Sequence, residues 1–235
     1  MASARPGFFG KLPSRGDYVG QDLPPAFIDP FEAWLHRALA ASQSVLAARW
    51  QELFRASPVW RFVLGSGLCG EAAAAGVMLP SADRAGRSYP FIIAASLAAR
   101  PAPIDVVVKA SAWFERARQF GRAMIERPME PGMITRGLAQ LGAPEFADAP
   151  RPPPLAARPA GWRVASTLPQ DPLASIAPLL HGVASTICLG YSLWWTEGSA
   201  AVKPSMLLCD GLPAPERFAA FIDGRWAERG WPGTP

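Results

Sequence analysis

The sequence predicts an α/β fold, a single domain with a mixed or mostly antiparallel central sheet and helices on both faces. Three observations predict it. Apolar runs at residues 59–64, 76–79 and 89–97 are separated by turn-rich segments, a spacing that suits hairpins better than βαβ crossovers. Apolar residues at helical spacing recur on either side of these runs. Trp194 and Trp195 are adjacent on a predicted strand, so both rings are buried only if both sheet faces are covered.

The elements follow in order. Residues 8–12 read as a short strand, closed by Pro13 and the turn Ser14-Arg15-Gly16-Asp17. Phe27, Phe31, Trp34, Leu35, Ala38 and Leu39 mark one face of a helix, with Asp29 as N-cap and Pro30 at its first position. Leu46, Trp50, Leu53 and Phe54 continue the spacing to Ser57-Pro58. The three strands come next, the first pair joined through Gly65, Gly67 and Gly70. Val106, Ala110, Trp113, Phe114, Ala117, Phe120 and Met124 predict one amphipathic helix, and a shorter one falls at 133–141. Residues 149–159 contain five prolines and read as a stiff surface connection. Beyond it, strands are expected at 162–167, 187–195 and 202–208, the last at an edge because of Pro204. A helix at 171–181 would end at Gly182, and Phe218, Phe221, Ile222 and Trp226 predict a final helix. The part after the prolines is small for independent stability, so residues 1–235 are read as one domain whose sheet takes strands from both halves.

The loop between the strands at 76–79 and 89–97 is the most informative segment. It holds Ser81, Asp83, Arg84, Gly86 and Arg87. A simple connection needs turn formers, but not two arginines and an aspartate so close together. Either these residues lock the loop's shape, or they meet something outside.

Composition narrows the function classes. The net charge is +4 and the basic residues are scattered, with no stripe of Lys/Arg interleaved with aromatics, which argues against nucleic-acid binding. The cysteines are Cys69, Cys188 and Cys209, an odd number without C-x-x-C, which argues against a disulfide framework or zinc ribbon and fits a reducing compartment. No apolar run reaches the length of about 18 residues that a membrane span needs, and the N-terminus lacks the apolar core of a secretory signal. A cytoplasmic protein is expected.

Catalytic signatures are sparse. Gly190-Tyr-Ser-Leu-Trp194 lacks the second glycine of a nucleophile elbow. Gly65-Ser-Gly67-Leu-Cys-Gly70 matches the spacing of a dinucleotide fingerprint, but a strand rather than a helix follows it, so it reads as a glycine-rich turn. The two histidines, His36 and His181, have no metal-ligand partner at helical spacing, and His181 is expected at a helix end. No catalytic residue, cofactor or metal is assigned.

Several segments together resemble a known family: Gly7-Phe-Phe-Gly-Lys-Leu-Pro-Ser-Arg-Gly-Asp17; Leu23-Pro24 followed by Phe27 and the helix with Trp34; Trp50; Pro58-Val-Trp-Arg-Phe62; Gly76-Val-Met-Leu-Pro-Ser81; Asp83-Arg84; Gly86-Arg87; and Tyr89-Pro90. In this order they resemble the type VI secretion system-associated TagF (ImpM) family, with the motifs concentrated in residues 7–100. The resemblance implies a non-enzymatic cytoplasmic accessory protein, a post-translational negative regulator of secretion. It also implies that the partner is the forkhead-associated scaffold protein of that system. Lys11, Arg15, Asp17, Ser81, Asp83, Arg84 and Arg87 are the candidates, either for partner binding or for locking the two loops together by Asp–Arg pairing. The alternative is an enzyme of unrecognised, hydrolase-like type with a cleft near residues 14–17 and 81–87, using Ser14, Ser81 or Asp83.

Overall fold

The computed structural model describes residues 5–147 and 173–233. Its strands are β1 (Pro6–Lys11), β2 (Tyr18–Gln21), β3 (Trp60–Leu64), β4 (Ala74–Leu79), β5 (Phe91–Ser96), β6 (Tyr191–Thr196) and β7 (Ser205–Asp210). They form one seven-stranded sheet in the order β2-β1-β5-β4-β3-β6-β7. Neighbouring strands pair antiparallel throughout. The β3–β4–β5 meander is the centre, one terminal hairpin extends it beside β5, and the β6–β7 hairpin extends it beside β3. The expected strands at 202–208 and 187–195 thus join the same sheet, though β6 begins only at Tyr191. The predicted proline-rich connection at 149–159 and the strand at 162–167 lie outside the described residues.

Side-chain alternation divides the core into two layers. Trp60, Phe62, Met78, Ile92, Ala94 and Trp194 face one side. There they meet α1 (Pro25–Leu46), α2 (Trp50–Arg55) and the short α7 (Ala220–Asp223). Val63, Val77, Leu79, Phe91, Ile93 and Trp195 face the other side. They meet α3 (Pro103–Lys109), α4 (Ser111–Glu126) and α5 (Pro131–Leu141). Trp194 is fully buried among Phe31, Trp34, Phe62 and Phe221, whereas Trp195 packs on Phe114 of α4. Both faces are covered, as the tandem tryptophans require.

Several boundaries differ from the expectation. Helix α1 starts at Pro25, with Pro24 extended before it, and Pro30 lies inside the helix, so Asp29 is not its cap. The Pro24-Pro25 pair explains this: a residue before proline is pushed to extended backbone, and Pro25 carries the fixed φ suited to a first helical position. The helix pattern from Val106 to Met124 is broken at Ala110, where φ −104° and ψ 18° leave helical geometry. Two helices result, and both keep their apolar faces on the sheet.

Helix α6 (Leu173–Ile187) runs through Gly182 instead of ending there. Its buried residues Ala177 and Ala184, followed by Cys188 just past its end, continue the same face across the glycine, so packing overrides the local stop signal. His181 therefore sits within the helix, its Nδ1 2.9 Å from the Tyr191 hydroxyl. The final helix is shorter than expected: a 3-10 turn at Pro215–Arg217 precedes α7, which Gly224 ends with a left-handed φ of 70°. Strand β2 carries no apolar alternation and is not among the elements expected from the sequence. Among the described residues no helix is long and apolar enough to cross a membrane.

Candidate functional site

Seating β1 beside β5 brings the loop after β1 against the loop between β4 and β5. The first loop turns tightly, with the Arg15 amide donating to the Leu12 carbonyl at 2.9 Å. The second is a small hairpin of its own. Its Tyr89 amide donates to Ser81 O at 2.9 Å, and its Gly86 amide donates to Asp83 O at 2.9 Å. Gly86 takes φ 80°, a conformation that favours glycine.

Asp83 is the hub of this arrangement, and its side chain is fully buried. Oδ1 accepts the backbone amides of Ala85 at 3.0 Å and Arg87 at 2.9 Å. Oδ2 accepts Lys11 Nζ at 3.1 Å and Arg87 Nε at 2.6 Å. Burial pushes the Asp83 carboxyl up, but the hydrogen bonds from the Arg87 amide, Lys11 and the Arg87 guanidinium outweigh it and hold the group well below the usual carboxylate range. A carboxylate held ionised with both oxygens occupied is a structural tie. It is poorly suited to accept a proton from a substrate.

Three further bonds join the loops. Ser81 Oγ donates to Lys11 O at 2.7 Å, Arg84 N to Arg15 O at 2.8 Å, and an Arg87 terminal nitrogen to Gly16 O at 2.9 Å. Helix α2 braces the second loop, since Gln51 Nε2 and Arg55 both donate to Gly86 O, at 3.0 and 2.8 Å.

The structure thus brings Lys11, Ser81, Asp83 and Arg87 together in one network. Asp17 stands apart from it. Its Oδ1 accepts the Tyr18 amide at 2.8 Å, and the expected Asp17–Arg pairing is absent among the described residues. The reason is direction: after the turn the chain reverses into β2, and Asp17 caps that strand's first amide. Arg15 and Arg84 enter the network only through their backbones, and their side chains point outward, exposed.

Sequence reasoning missed the aromatic flank. Tyr18 meets Tyr89 edge-on with centroids 5.0 Å apart, and the Lys11 ammonium lies 5.0 Å from the Tyr18 ring centre. The Tyr89 hydroxyl lies 3.5 Å from Glu32 on α1, and Glu32 lies 3.7 Å from His36. Burial, with the Glu32 charge, raises the Tyr89 phenol above its ordinary range. The Tyr89-Pro90 pair marked this position in the sequence; Glu32 carried no local signal.

The remaining candidates fall elsewhere. The Gly65–Gly70 segment turns between antiparallel β3 and β4, so it has no phosphate-facing helix behind it. A second ionic group lies on the α4 face, where the buried Arg61 donates to Glu197 at 2.6 Å and approaches Glu115 at 3.4 Å. Hydrogen bonds from Arg118 and Gln119 and the charge of Arg61 outweigh burial and lower the Glu115 carboxyl to about 2. Among the described residues no cluster of three His, Cys, Asp or Glu side chains is placed to hold a metal ion.

Comparison with known proteins places this arrangement. The TagF N-terminal domain family, described as type VI secretion system-associated, matches residues 7–141, a span that contains both loops. The crystal structure of PA0076 from Pseudomonas aeruginosa PAO1 is similar over 98% of this chain and 100% of its own, with 33% sequence identity and a TM-score of 0.77. A search of curated proteins finds no match.

Proposed function

Because the chain belongs to the type VI secretion system-associated TagF family, we propose that it is a cytoplasmic, non-enzymatic accessory protein that restrains secretion post-translationally by binding another component of the machine. The forkhead-associated scaffold is the partner this reading names. The observation that carries it is the state of the two motif-bearing loops. Their polar groups are bonded to one another around Asp83, and what they offer outward is guanidinium and phenol surface. Interfaces concentrate their binding energy in such Arg and Tyr side chains.

The hydrolase-like alternative is disfavoured by the same geometry. Ser81 Oγ donates to a backbone carbonyl, and Asp83 is saturated by four donors, so neither is poised as a nucleophile or a base.

The test is deletion and overproduction in the native host. Deletion is expected to raise secretion, and overproduction to suppress it, with the amounts of secretion-system proteins unchanged. A pull-down with the forkhead-associated scaffold should recover the chain. Secretion that responds to neither manipulation would overturn the proposal.

A further inference from the structure

We propose that the outer surface of the paired loops, formed by Arg15, Arg84 and Tyr18, docks an acidic segment of a protein partner and grips its carboxylates. This rests on the accessory role above and specifies the chemistry of the contact.

The arginines of this chain are used in more than one way. Arg61, Arg87, Arg118, Arg225 and Arg229 each hold a carboxylate of this chain within 4 Å. Arg15 and Arg84 hold none, as is true of several other exposed arginines such as Arg116; among the described residues neither guanidinium has an ion pair or a hydrogen bond, and what sets these two apart is their adjacency. They are adjacent because the Arg84 amide donates to the Arg15 carbonyl at 2.8 Å. A terminal nitrogen of Arg84 lies 3.6 Å from where a side chain on Gly16 would begin. Two unpaired guanidiniums are thus presented from neighbouring backbones. The rim also carries opposing charges: Asp17, whose Oδ1 is occupied by the Tyr18 amide, and the partly exposed Glu32, which lies 3.5 Å from the Tyr89 hydroxyl on the Tyr18 side.

Rigidity is the second part. Loop arginines on a floppy chain would lose much of their binding energy to ordering. Here the Arg84 backbone bonds the Arg15 backbone, the Arg15 turn is closed on Leu12, and the loop carrying Arg84 is held by Asp83 through the Ala85 and Arg87 amides and braced at Gly86 by Arg55 and Gln51. Guanidinium recognises carboxylate with two parallel hydrogen bonds, so two guanidiniums on bonded, rigid backbones suit closely spaced acidic side chains. Tyr18 completes the surface: the residue is 48% exposed, while its ring meets Tyr89 edge-on and lies under the Lys11 ammonium.

The experiment uses the full chain and a fluorescein-labelled peptide of alternating glutamate and glycine, read by fluorescence anisotropy. The peptide should bind with an affinity that falls as sodium chloride rises, and the glutamine–glycine counterpart should not bind. Arg15→Glu with Arg84→Glu should weaken binding about tenfold or more. Arg116→Glu with Lys203→Glu, the same charge change at distant exposed positions, should leave it unchanged. If the first variant melts early, Arg15→Gln with Arg84→Gln replaces it, with the same loss expected. Equal weakening by both pairs, equal binding of both peptides, or no binding to the native chain would overturn the proposal. The readout is independent of secretion: an effect on secretion bears on the accessory role, and peptide binding bears on this surface.

Discussion

The Lys11 ammonium lies 3.1 Å from the buried Asp83 carboxylate, although 72 residues separate them in the chain. This pair ties the end of β1 to the β4–β5 loop, and its energetics differ from those of a surface ion pair. Removing one partner leaves the other charged and buried; removing both does not. Asp83→Ala is therefore expected to lower the melting temperature more than the double change Lys11→Met with Asp83→Leu. Thermal melting of the two variants checks this, and a double variant less stable than the single one would contradict it.

The two arginines of the second loop should separate in the same assay. Arg87 bonds both Asp83 and the Gly16 carbonyl, so Arg87→Ala should lower the melting temperature. The Arg84 side chain makes no such bond, so Arg84→Ala should stay within about 0.5 kcal/mol of the native chain. Two variants that melt together would show that the Arg87 bonds add nothing.

Acid stability follows from the carboxylates. Glu115 is lowered to about 2, and Asp83 is held lower still by donors that outweigh its burial. With folded values below unfolded ones, the unfolded chain binds more protons, so stability rises with pH. Each contribution is complete above the ordinary carboxylate range, near about pH 4, and is lost as pH falls through the folded value. Urea midpoints measured from pH 5 downward should fall steeply. Glu115→Gln should flatten the fall above about pH 2; Asp83→Asn should flatten it over a range reaching further down. A native profile without this fall would refute the assignment.

The two adjacent tryptophans should differ in cost. Trp194→Ala opens a cavity among Phe31, Trp34, Phe62 and Phe221 and should destabilise by about 3–5 kcal/mol. Trp195, partly exposed on the other face, should cost less. Urea unfolding with unchanged slope resolves the order, and the reverse order would contradict the layer assignment.

The sequence by itself determined the two-faced sheet, because the continuous apolar runs of β3, β4 and β5 and the helical spacing of Phe27–Leu39 are local patterns that survive whatever they pack against. It also marked the charged loops, since Asp83, Arg84 and Arg87 are conspicuous in a short connection. Tertiary structure decided the rest. That Asp83 pairs with Lys11 rather than Arg15 depends on β1 lying beside β5, a contact no window of residues contains. Strand β2 was illegible because an exposed edge needs no apolar alternation. The passage of α6 through Gly182 went the other way from local propensity, because the free energy of burying a continuous apolar face exceeds the roughly 1 kcal/mol that a single helix residue contributes.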